Sequence, residues 1–301
     1  MRLGIDLGGT KIEGVVLADD GRIVERRRSP TGRERGYDHV LDGVARLVRE
    51  LLPLAPGCRA VGIGTPGATS RGGLMKNSNT TCLNGRPVHA DLEARIGLPI
   101  RMENDANCFA LAEAVAGAGR GHEMVFGVIL GTGVGGGIVF RGELWSGPQH
   151  IAGEWGHHAI DPAGPQCYCG QRGCVETLLS GPALENAYRD AGGAAPAAAS
   201  AIADRAAAGD GVATRVLDAW LGHFGRAIAN LVAILDPSVV VLGGGLSNLE
   251  LLYHRGRDAV ARCTFNDELT TPILRHQLGD SAGVIGAALL VERSEPEERT
   301  T

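Results

Sequence analysis

The stretch R-L-G-I-D-L-G-G-T-K-I-E-G-V-V-L-A, residues 2–18, shows how the fold begins. Its apolar residues predict two strands joined by a turn at Gly8 and Gly9, and the next turn leads into a third strand, so the chain opens as a meander. Residues 124–140, M-V-F-G-V-I-L-G-T-G-V-G-G-G-I-V-F, repeat the pattern of strand, glycine turn and strand. The repetition predicts two domains of related structure.

Helical patterns alternate with the strands. Apolar residues recur at helical spacing from Asp38 and stop before Pro53, where a helix is expected to end. Further helices are expected over 87–97, over 104–119, through the Ala-rich region up to about 235, and from Ser247. A break of small residues at 117–122 predicts a domain boundary. We expect a small N-terminal α/β domain, 1–117, completed by the C-terminal helix at about 284–301, and a larger α/β domain, 118–283.

Composition limits the classes of function. The chain has 301 residues with a formal net charge of −5 and a pI near 6.0, which disfavours a nucleic acid or an anionic membrane as the main partner and favours a small molecule. The first residues lack the apolar core of a signal peptide, and no apolar run approaches ~18 residues. A cytoplasmic protein is therefore expected.

Two glycine turns occupy matching positions in the two halves, D-L-G-G-T-K at 6–11 and L-G-T-G-V-G-G-G at 130–137. Glycine lets backbone N–H groups point at an anion, and Thr10, Lys11 and Thr132 add further donors, which suits a polyphosphate. Two ordinary hairpin turns are the simpler alternative for either stretch alone. Both G-I-G-T-P-G at 62–67 and G-T-G-V-G-G at 131–136 satisfy G-x-G-x-x-G, but no helix is predicted after them, which disfavours a dinucleotide site.

Asp105 is predicted at the start of a helix that directly follows a strand. The positive end of the helix dipole favours the ionised carboxylate, which could accept a proton from an alcohol. An acidic or amide residue at this position is also a common helix cap. The sequence position alone leaves both roles open.

The stretch E-W-G-H-H-A-I-D-P-A-G-P-Q-C-Y-C-G-Q-R-G-C-V-E, residues 154–176, predicts a metal site. Cys167, Cys169 and Cys174 with one histidine supply four ligands, and such a filled zinc site leaves no position for water or substrate, so the zinc would be structural. His157 is the better fourth ligand than His158, because the metal would fix its ring toward neighbours such as Glu154.

The chain resembles the ROK group of sugar kinases and repressors. The resemblance is carried, in family order, by the motifs G-I-D-L-G-G-T-K-I-E, G-I-G-T-P-G, N-D-A-N-C-F-A-L-A-E-A, I-L-G-T-G-V-G-G-G-I-V, G-E-W-G-H, C-Y-C-G-Q-R-G-C-V-E, D-P-S-V-V-V-L-G-G-G-L-S-N and G-D-S-A-G-V-I-G-A-A. It implies the actin/hexokinase-like (ribonuclease H-like) fold, with two α/β domains around a central cleft, and a homodimer.

The resemblance also implies roles for individual residues. Asp105 matches the general base, and Asp6 is expected to hold Mg²⁺ through water. The ATP-binding residues are expected to be Gly8, Gly9, Thr10, Lys11, Gly131, Thr132, Gly133, Gly243, Gly244 and Gly245. The sugar-binding residues are expected to be Asn79, Asn104, Asp105, Glu154, His157 and Glu176. The zinc ligands match His157, Cys167, Cys169 and Cys174.

The function implied is ATP-dependent phosphorylation of a hexose at its 6-hydroxyl. The stretch K-N-S-N-T-T-C-L-N-G-R-P, residues 76–87, resembles the bacterial ROK fructokinases, so fructose is expected first, with mannose or glucose as further substrates. N-acetylglucosamine kinases share the motif set and are the alternative. A sugar-responsive ROK regulator is disfavoured, because such regulators carry a DNA-binding domain ahead of the first phosphate turn and five residues precede Asp6 here.

Overall fold

The structure is a computed structural model that describes residues 1–194 and 196–291. It confirms the expected α/β class. The strands are β1 (Arg2–Leu7), β2 (Lys11–Leu17), β3 (Ile23–Pro30), β4 (Val61–Thr65), β5 (Ala68–Thr69), β6 (Met75–Lys76), β7 (Ile100–Asn104), β8 (Met124–Leu130), β9 (Val134–Phe140), β10 (Glu143–Leu144), β11 (Val239–Gly243) and β12 (Ile273–Arg275). The α-helices are α1 (Tyr37–Leu51), α2 (Val88–Ile96), α3 (Asp105–Ala116), α4 (Val175–Leu179), α5 (Gly181–Asp190), α6 (Ala199–Ala207), α7 (Gly211–Leu235), α8 (Arg255–Cys263) and α9 (Ala282–Leu289).

The chain divides into two compact units. Unit 1 contains Met1–Ala112, Ser146–Ile151 and the residues from Leu278 onward, and unit 2 contains Glu113–Trp145 and Ala152–Gln277. Residues 292–301, the last part of the stretch expected to complete the small domain, lie outside the described residues.

The sheet of unit 1 has the strand order β3-β2-β1-β4-β7. The first three strands form the predicted antiparallel meander, whereas β1, β4 and β7 run parallel. The register places Asp6 beside Gly64 and Gly64 beside Glu103. The carboxyl ends of the three parallel strands therefore lie at one edge of the sheet.

Helices α1 and α9 cover opposite faces of this sheet. Helix α1 buries its apolar face, including Leu47 and Leu51, against Gly14 of β2. On the other face α9 packs directly on the backbone of β1 and β4. The approach is so close that a Cβ atom on Gly62 would lie 1.7 Å from the carbonyl oxygen of Ala287. Only glycine allows a helix to approach the strands this closely.

The sheet of unit 2 has the order β10-β9-β8-β11-β12. Strands β8 and β9 form the predicted second hairpin, and β8, β11 and β12 run parallel. The core of this unit includes Trp220 and Phe224 of α7, a helix whose N-terminus is capped by the Asp210 carboxylate. As predicted, the region from 175 to 235 is largely helical.

One expected element begins later than predicted. The helix expected from Ser247 starts at Arg255, because residues 245–248 form a 3₁₀ turn in which the Ser247 hydroxyl donates to the carbonyl of Gly244 at 2.6 Å. Side-chain bonds of this kind compete with helix formation. As predicted, neither G-x-G-x-x-G match opens a helix, because Gly67 is followed by β5 and Gly136 lies within β9.

Within the described residues, each helix is either too short or too polar to cross a membrane.

Candidate active site

The parallel strands of unit 1 bring predicted site residues to one sheet edge. Asp6 lies near the end of β1, Thr65 ends β4, and Asn104 ends β7 directly before Asp105. Thr65 is in register with Asn104. Ligand sites in open α/β sheets commonly lie at this edge, so the topology supports placing the predicted base here.

Asn104 and Asp105 have different structural roles. The side-chain oxygen of Asn104 accepts the N–H of Asn107 at 2.7 Å, which makes Asn104 the cap of α3. Asp105 is the first residue of the helix, and its carboxylate accepts the N–H of Ala106 at 2.9 Å. Asn104 therefore has the helix-capping role that the sequence left open for Asp105.

Asp6 has an unusual protonation equilibrium. Desolvation by burial, with smaller contributions from the negative charges of Asp105 and Glu13, raises the pKa of Asp6 to about 7, although Lys11 opposes the rise. A buried carboxyl group that faces a second negative charge favours either a proton or a nearby cation. This donor set fits the Mg²⁺ role expected for Asp6.

The first glycine turn lies beside Asn79. The N–H of Gly8 donates to the carbonyl of Lys11 at 3.0 Å, which closes the turn. A Cβ atom on Gly9 would lie 3.4 Å from the side-chain oxygen of Asn79. The structure thus places a predicted phosphate-binding residue next to a predicted sugar-binding residue.

Lys11 takes part in a charge network that the sequence analysis did not predict. Its ammonium lies 3.2 Å from Glu13, which is 1% exposed, and Arg28 donates to the same carboxylate at 2.7 Å. Burial alone would raise the pKa of Glu13, but the hydrogen bonds from Arg28 and Lys11 lower it overall. The alternation of residues along β2 puts Lys11 and Glu13 on one face, which is a signal that the sequence contains.

The second glycine turn belongs to unit 2 and contacts Glu176. One carboxylate oxygen of Glu176 accepts the N–H of Val134 at 2.9 Å and would lie 2.8 Å from a Cβ atom on Gly133. The carbonyl of Gly131 accepts the N–H of Gly181 at the start of α5 at 2.8 Å.

The predicted adenosine stretch 243–245 lies beside the same turn. A Cβ atom on Gly244, whose φ is +77°, would lie 2.4 Å from the carbonyl oxygen of Leu130. The backbone N of Gly245 is 3.9 Å from the position of a Cβ on Gly131. The structure therefore brings 131–133 and 243–245 together within unit 2.

The four predicted zinc ligands form one cluster in unit 2. The ligand atoms of His157, Cys167, Cys169 and Cys174 all lie within 4.8 Å of one another. The sulfur atoms of Cys169 and Cys174 are 3.6 Å apart, and tetrahedral zinc would hold its ligand atoms about 3.5–3.8 Å apart. The donor set fits zinc, and burial, which raises the pKa of the Cys174 thiol to about 12, would be offset by the metal.

His157 joins this cluster through one ring nitrogen only. Its Nδ1 atom lies 3.5 Å from the sulfur of Cys167, whereas its Nε2 atom lies 2.9 Å from the hydroxyl of Tyr168. His158 points elsewhere, with its Nε2 atom 3.4 Å from the side-chain amide of Asn230. The sequence did not predict this contact between Tyr168 and the second ring nitrogen of His157.

Each unit contains a cavity next to predicted site residues. The cavity of unit 1 has a volume of about 360 Å³ and is lined by residues that include Thr69, Ser70, His89, Glu103 and Asn104. The cavity of unit 2 has a volume of about 640 Å³ and is lined by residues that include Thr132, Glu176, Ser180, Asn186 and Trp220. Both volumes lie in the range of small-molecule sites.

Glu103 is a cavity residue that the sequence analysis missed. Its two carboxylate oxygens accept hydrogen bonds from Asn107 at 2.9 Å and from the Ser146 hydroxyl at 2.7 Å. Glu103 thus ties the first turn of α3 to the segment Ser146–Ile151. A carboxylate directly before Asn104 and Asp105 is visible in the sequence, but its bond to residue 146 depends on the tertiary fold.

Comparison with known proteins identifies the family. Residues 2–294 match the ROK family. An N-acetyl-D-glucosamine kinase from Pasteurella multocida is 39% identical over 302 residues, which cover 96% of this chain and 99% of that protein. The chain belongs to the ROK family.

Solved structures confirm the expected fold. The ROK hexokinase from Thermus thermophilus superposes with a TM-score of 0.87 and 35% identity over 96% of this chain and 97% of that one. A ROK family glucokinase from Streptomyces griseus, in complex with glucose and AMPPNP, gives a TM-score of 0.78 and 31% identity over 96% and 98%. The fold is actin/hexokinase-like.

The thiol cluster predicts a zinc dependence of stability. Elemental analysis is expected to give about one zinc per chain. Cys174→Ser should lose the metal and lower the midpoint of thermal unfolding, because binding of a structural metal contributes directly to folding. Cys263→Ser, which changes an exposed cysteine outside the cluster, should keep both. A zinc-free protein with the unfolding curve of the zinc-loaded protein would contradict the prediction.

The raised pKa of Asp6 predicts a pH dependence of stability. Between the ordinary pKa of 3.8 and the folded-state value of about 7 the native state binds more protons than the unfolded state, so stability falls as pH rises through this window. Asp6→Asn should therefore unfold at a higher temperature than the wild type at pH 8, and the difference should disappear toward pH 4. Asp20→Asn, at an exposed carboxylate, is the control. Equal midpoints of Asp6→Asn and wild type at pH 8 would refute the assignment.

Proposed function

We propose that this protein is an ATP-dependent sugar kinase that phosphorylates the 6-hydroxyl of a hexose or an N-acetylated hexosamine. The observation that carries the proposal is the position of Asp105, at the N-terminus of α3 and at the edge where β1, β4 and β7 end. The names of the ROK relatives, which include a hexokinase, a glucokinase and an N-acetylglucosamine kinase, support the same reaction.

Asp105 acts as the general base. Its carboxylate accepts the proton of the sugar 6-hydroxyl as the oxygen forms a bond to the γ-phosphorus of ATP. The bond between that phosphorus and the β,γ-bridging oxygen breaks, and ADP leaves. Asn104 supports this role, because it caps α3 and leaves the Asp105 carboxylate at the start of the helix, where the helix dipole favours its ionised form.

The glycine turns and Asp6 act on the nucleotide. Backbone N–H groups of the turns at Gly8–Gly9 and Gly131–Gly133 bind the phosphates, with Thr10, Lys11 and Thr132 as further donors, and 243–245 lies by the adenosine. The glucokinase complex with AMPPNP, an ATP analogue, supports a nucleotide in this role. Mg²⁺, when bound with ATP, neutralises phosphate charge, and Asp6 would hold it through water.

The sugar ligands that the resemblance implies are Asn79, Asn104, Asp105, Glu154, His157 and Glu176, and this set stays a prediction. Zinc bound by His157, Cys167, Cys169 and Cys174 has a structural role, because the protein ligands fill its coordination. The homodimer expected from the resemblance stays a prediction.

N-acetylglucosamine is the sugar that the relatives favour. Residues 76–87 favoured fructose in the sequence, but the relatives described above are named for N-acetylglucosamine, hexoses and glucose. The cavity of about 360 Å³ beside Asn104 supports a substrate with a bulky polar substituent such as the acetamido group. Its lining includes the polar side chains of Thr69, Ser70 and His89, which could hydrogen-bond that substituent. Fructose is the second candidate.

Asp105→Asn should lower kcat by about 100- to 10,000-fold, because the amide cannot accept the proton. The sugar Kd should change little, since the side chain keeps its shape and can still hydrogen-bond a hydroxyl. Steady-state kinetics with an ADP-coupled readout and calorimetric sugar binding test both parts. Near-normal turnover of a folded Asp105→Asn variant would assign the base elsewhere.

A substrate panel should rank N-acetylglucosamine first in kcat/KM, followed by glucose, mannose and fructose. Glucose and N-acetylglucosamine form the matched pair, because they differ only at the 2-position, and a site built for an amide discriminates against a substrate that leaves its polar groups unpaired. A higher kcat/KM for fructose than for N-acetylglucosamine would support the interpretation of residues 76–87 instead. If no sugar in the panel yields ADP, the proposed function is wrong.

A further inference from the structure

The imidazole of His157 has one hydrogen-bond donor for two partners, the hydroxyl of Tyr168 and the proposed sugar. The Nδ1 atom is directed to the thiol cluster. When Nδ1 binds a metal there, Nε2 carries the only ring proton. That nitrogen lies 2.9 Å from the hydroxyl of Tyr168, so the ring proton already has an acceptor. A sugar hydroxyl that binds His157 through Nε2 must take the place of Tyr168.

Tyr168 contacts one of the proposed sugar ligands of unit 2, His157. Its ring meets that of His157 edge to face, with the ring centroids 5.0 Å apart. Both the ring and the hydroxyl of Tyr168 therefore contact a side chain that is proposed to hold the sugar.

The backbone at Tyr168 is fixed while its side chain can move. Cys167 donates its N–H to Gln171 at 2.8 Å and accepts the N–H of Gly170 at 3.1 Å, so the loop forms a tight turn between two metal ligands. The side chain of Tyr168 is 70% exposed. A rotation about χ1 can carry the ring toward solvent without unpacking a core.

We propose that the Tyr168 hydroxyl occupies the hydrogen-bond position on His157 that a sugar hydroxyl takes, and that the sugar binds by displacing it. The inference rests on the proposed sugar kinase function. Tyr168 would then set the affinity for the sugar without contributing to phosphoryl transfer, because every sugar that binds must first break the bond between Tyr168 and His157.

Tyr168→Phe tests the proposal because it removes the hydroxyl and keeps the ring. Calorimetric titration of the zinc-loaded protein with the sugar that the wild type phosphorylates best, in the absence of ATP, should give a Kd about two- to twelve-fold lower than that of the wild type. KM for the sugar should fall in parallel while kcat stays near the wild-type value. Zinc content should stay unchanged.

Two further variants separate this effect from the effects of one particular substitution and of losing a tyrosine hydroxyl elsewhere in the protein. Tyr168→Leu removes both the hydroxyl and the ring and should shift the Kd in the same direction, so the test does not depend on one substitution. Tyr37→Phe is the matched control, because it also loses one tyrosine hydroxyl, bonded to Asp91 at 2.6 Å, and should leave the sugar Kd unchanged.

The outcomes are distinguishable. An unchanged or higher sugar Kd in Tyr168→Phe, or a loss of zinc from that variant, would overturn the proposal. A wild-type protein that phosphorylates no sugar would overturn the proposed function itself. A wild type that phosphorylates sugar, combined with no gain of affinity in Tyr168→Phe, would overturn only the role of Tyr168.

Discussion

The parallel alignment of β1, β4 and β7 is the constraint on which the proposed chemistry depends. It carries three strand ends to the same edge of one sheet, so that the charge of Asp105 acts on the buried carboxyl group of Asp6. Burial and this repulsion together favour a proton or a cation at Asp6, which is why its pKa is raised. The ionised form of Asp6 costs stability at the edge where the chemistry is proposed, as is common at functional sites.

In unit 2, hydrogen bonds and short stretches of chain connect the residues proposed to bind phosphate, sugar and metal. Glu176 binds the backbone of the second glycine turn, and it follows Cys174 by only two residues, so the thiol cluster and the turn are linked by a single short stretch of chain. His157 connects the cluster to Tyr168 in the same way. Because of these links, a change in the metal site is transmitted directly to the side chains proposed for the sugar.

The sequence predicted local features well and tertiary ones poorly, for physical reasons. The meander, the second hairpin and the helix after Asn104 depend on patterns within a few residues, and the structure confirms them. Thiol and imidazole spacing likewise identified the cluster that contains His157. In contrast, the late start of α8 depends on side-chain bonds around Ser247 that override helical periodicity, and the hydrogen bond from Ser146 to Glu103 joins residues far apart in the chain. The contact of Tyr168 with His157 could not be predicted, because the sequence does not show in which direction a side chain between two predicted zinc ligands points.

The close packing of α9 on Gly62 also affects the order in which the protein can be made. Unit 1 lacks one of its layers until the residues after Leu278 have been synthesised, whereas most of unit 2 is encoded between Glu113 and Gln277. At ribosomal rates the intervening stretch of roughly 165 residues takes about ten to thirty seconds to emerge, and domains tend to fold as units during synthesis. During that interval the surface of the N-terminal sheet that packs against α9 is uncovered. The nascent chain therefore exposes apolar strands to chaperones and to aggregation for longer than a domain of this size encoded by one continuous stretch would.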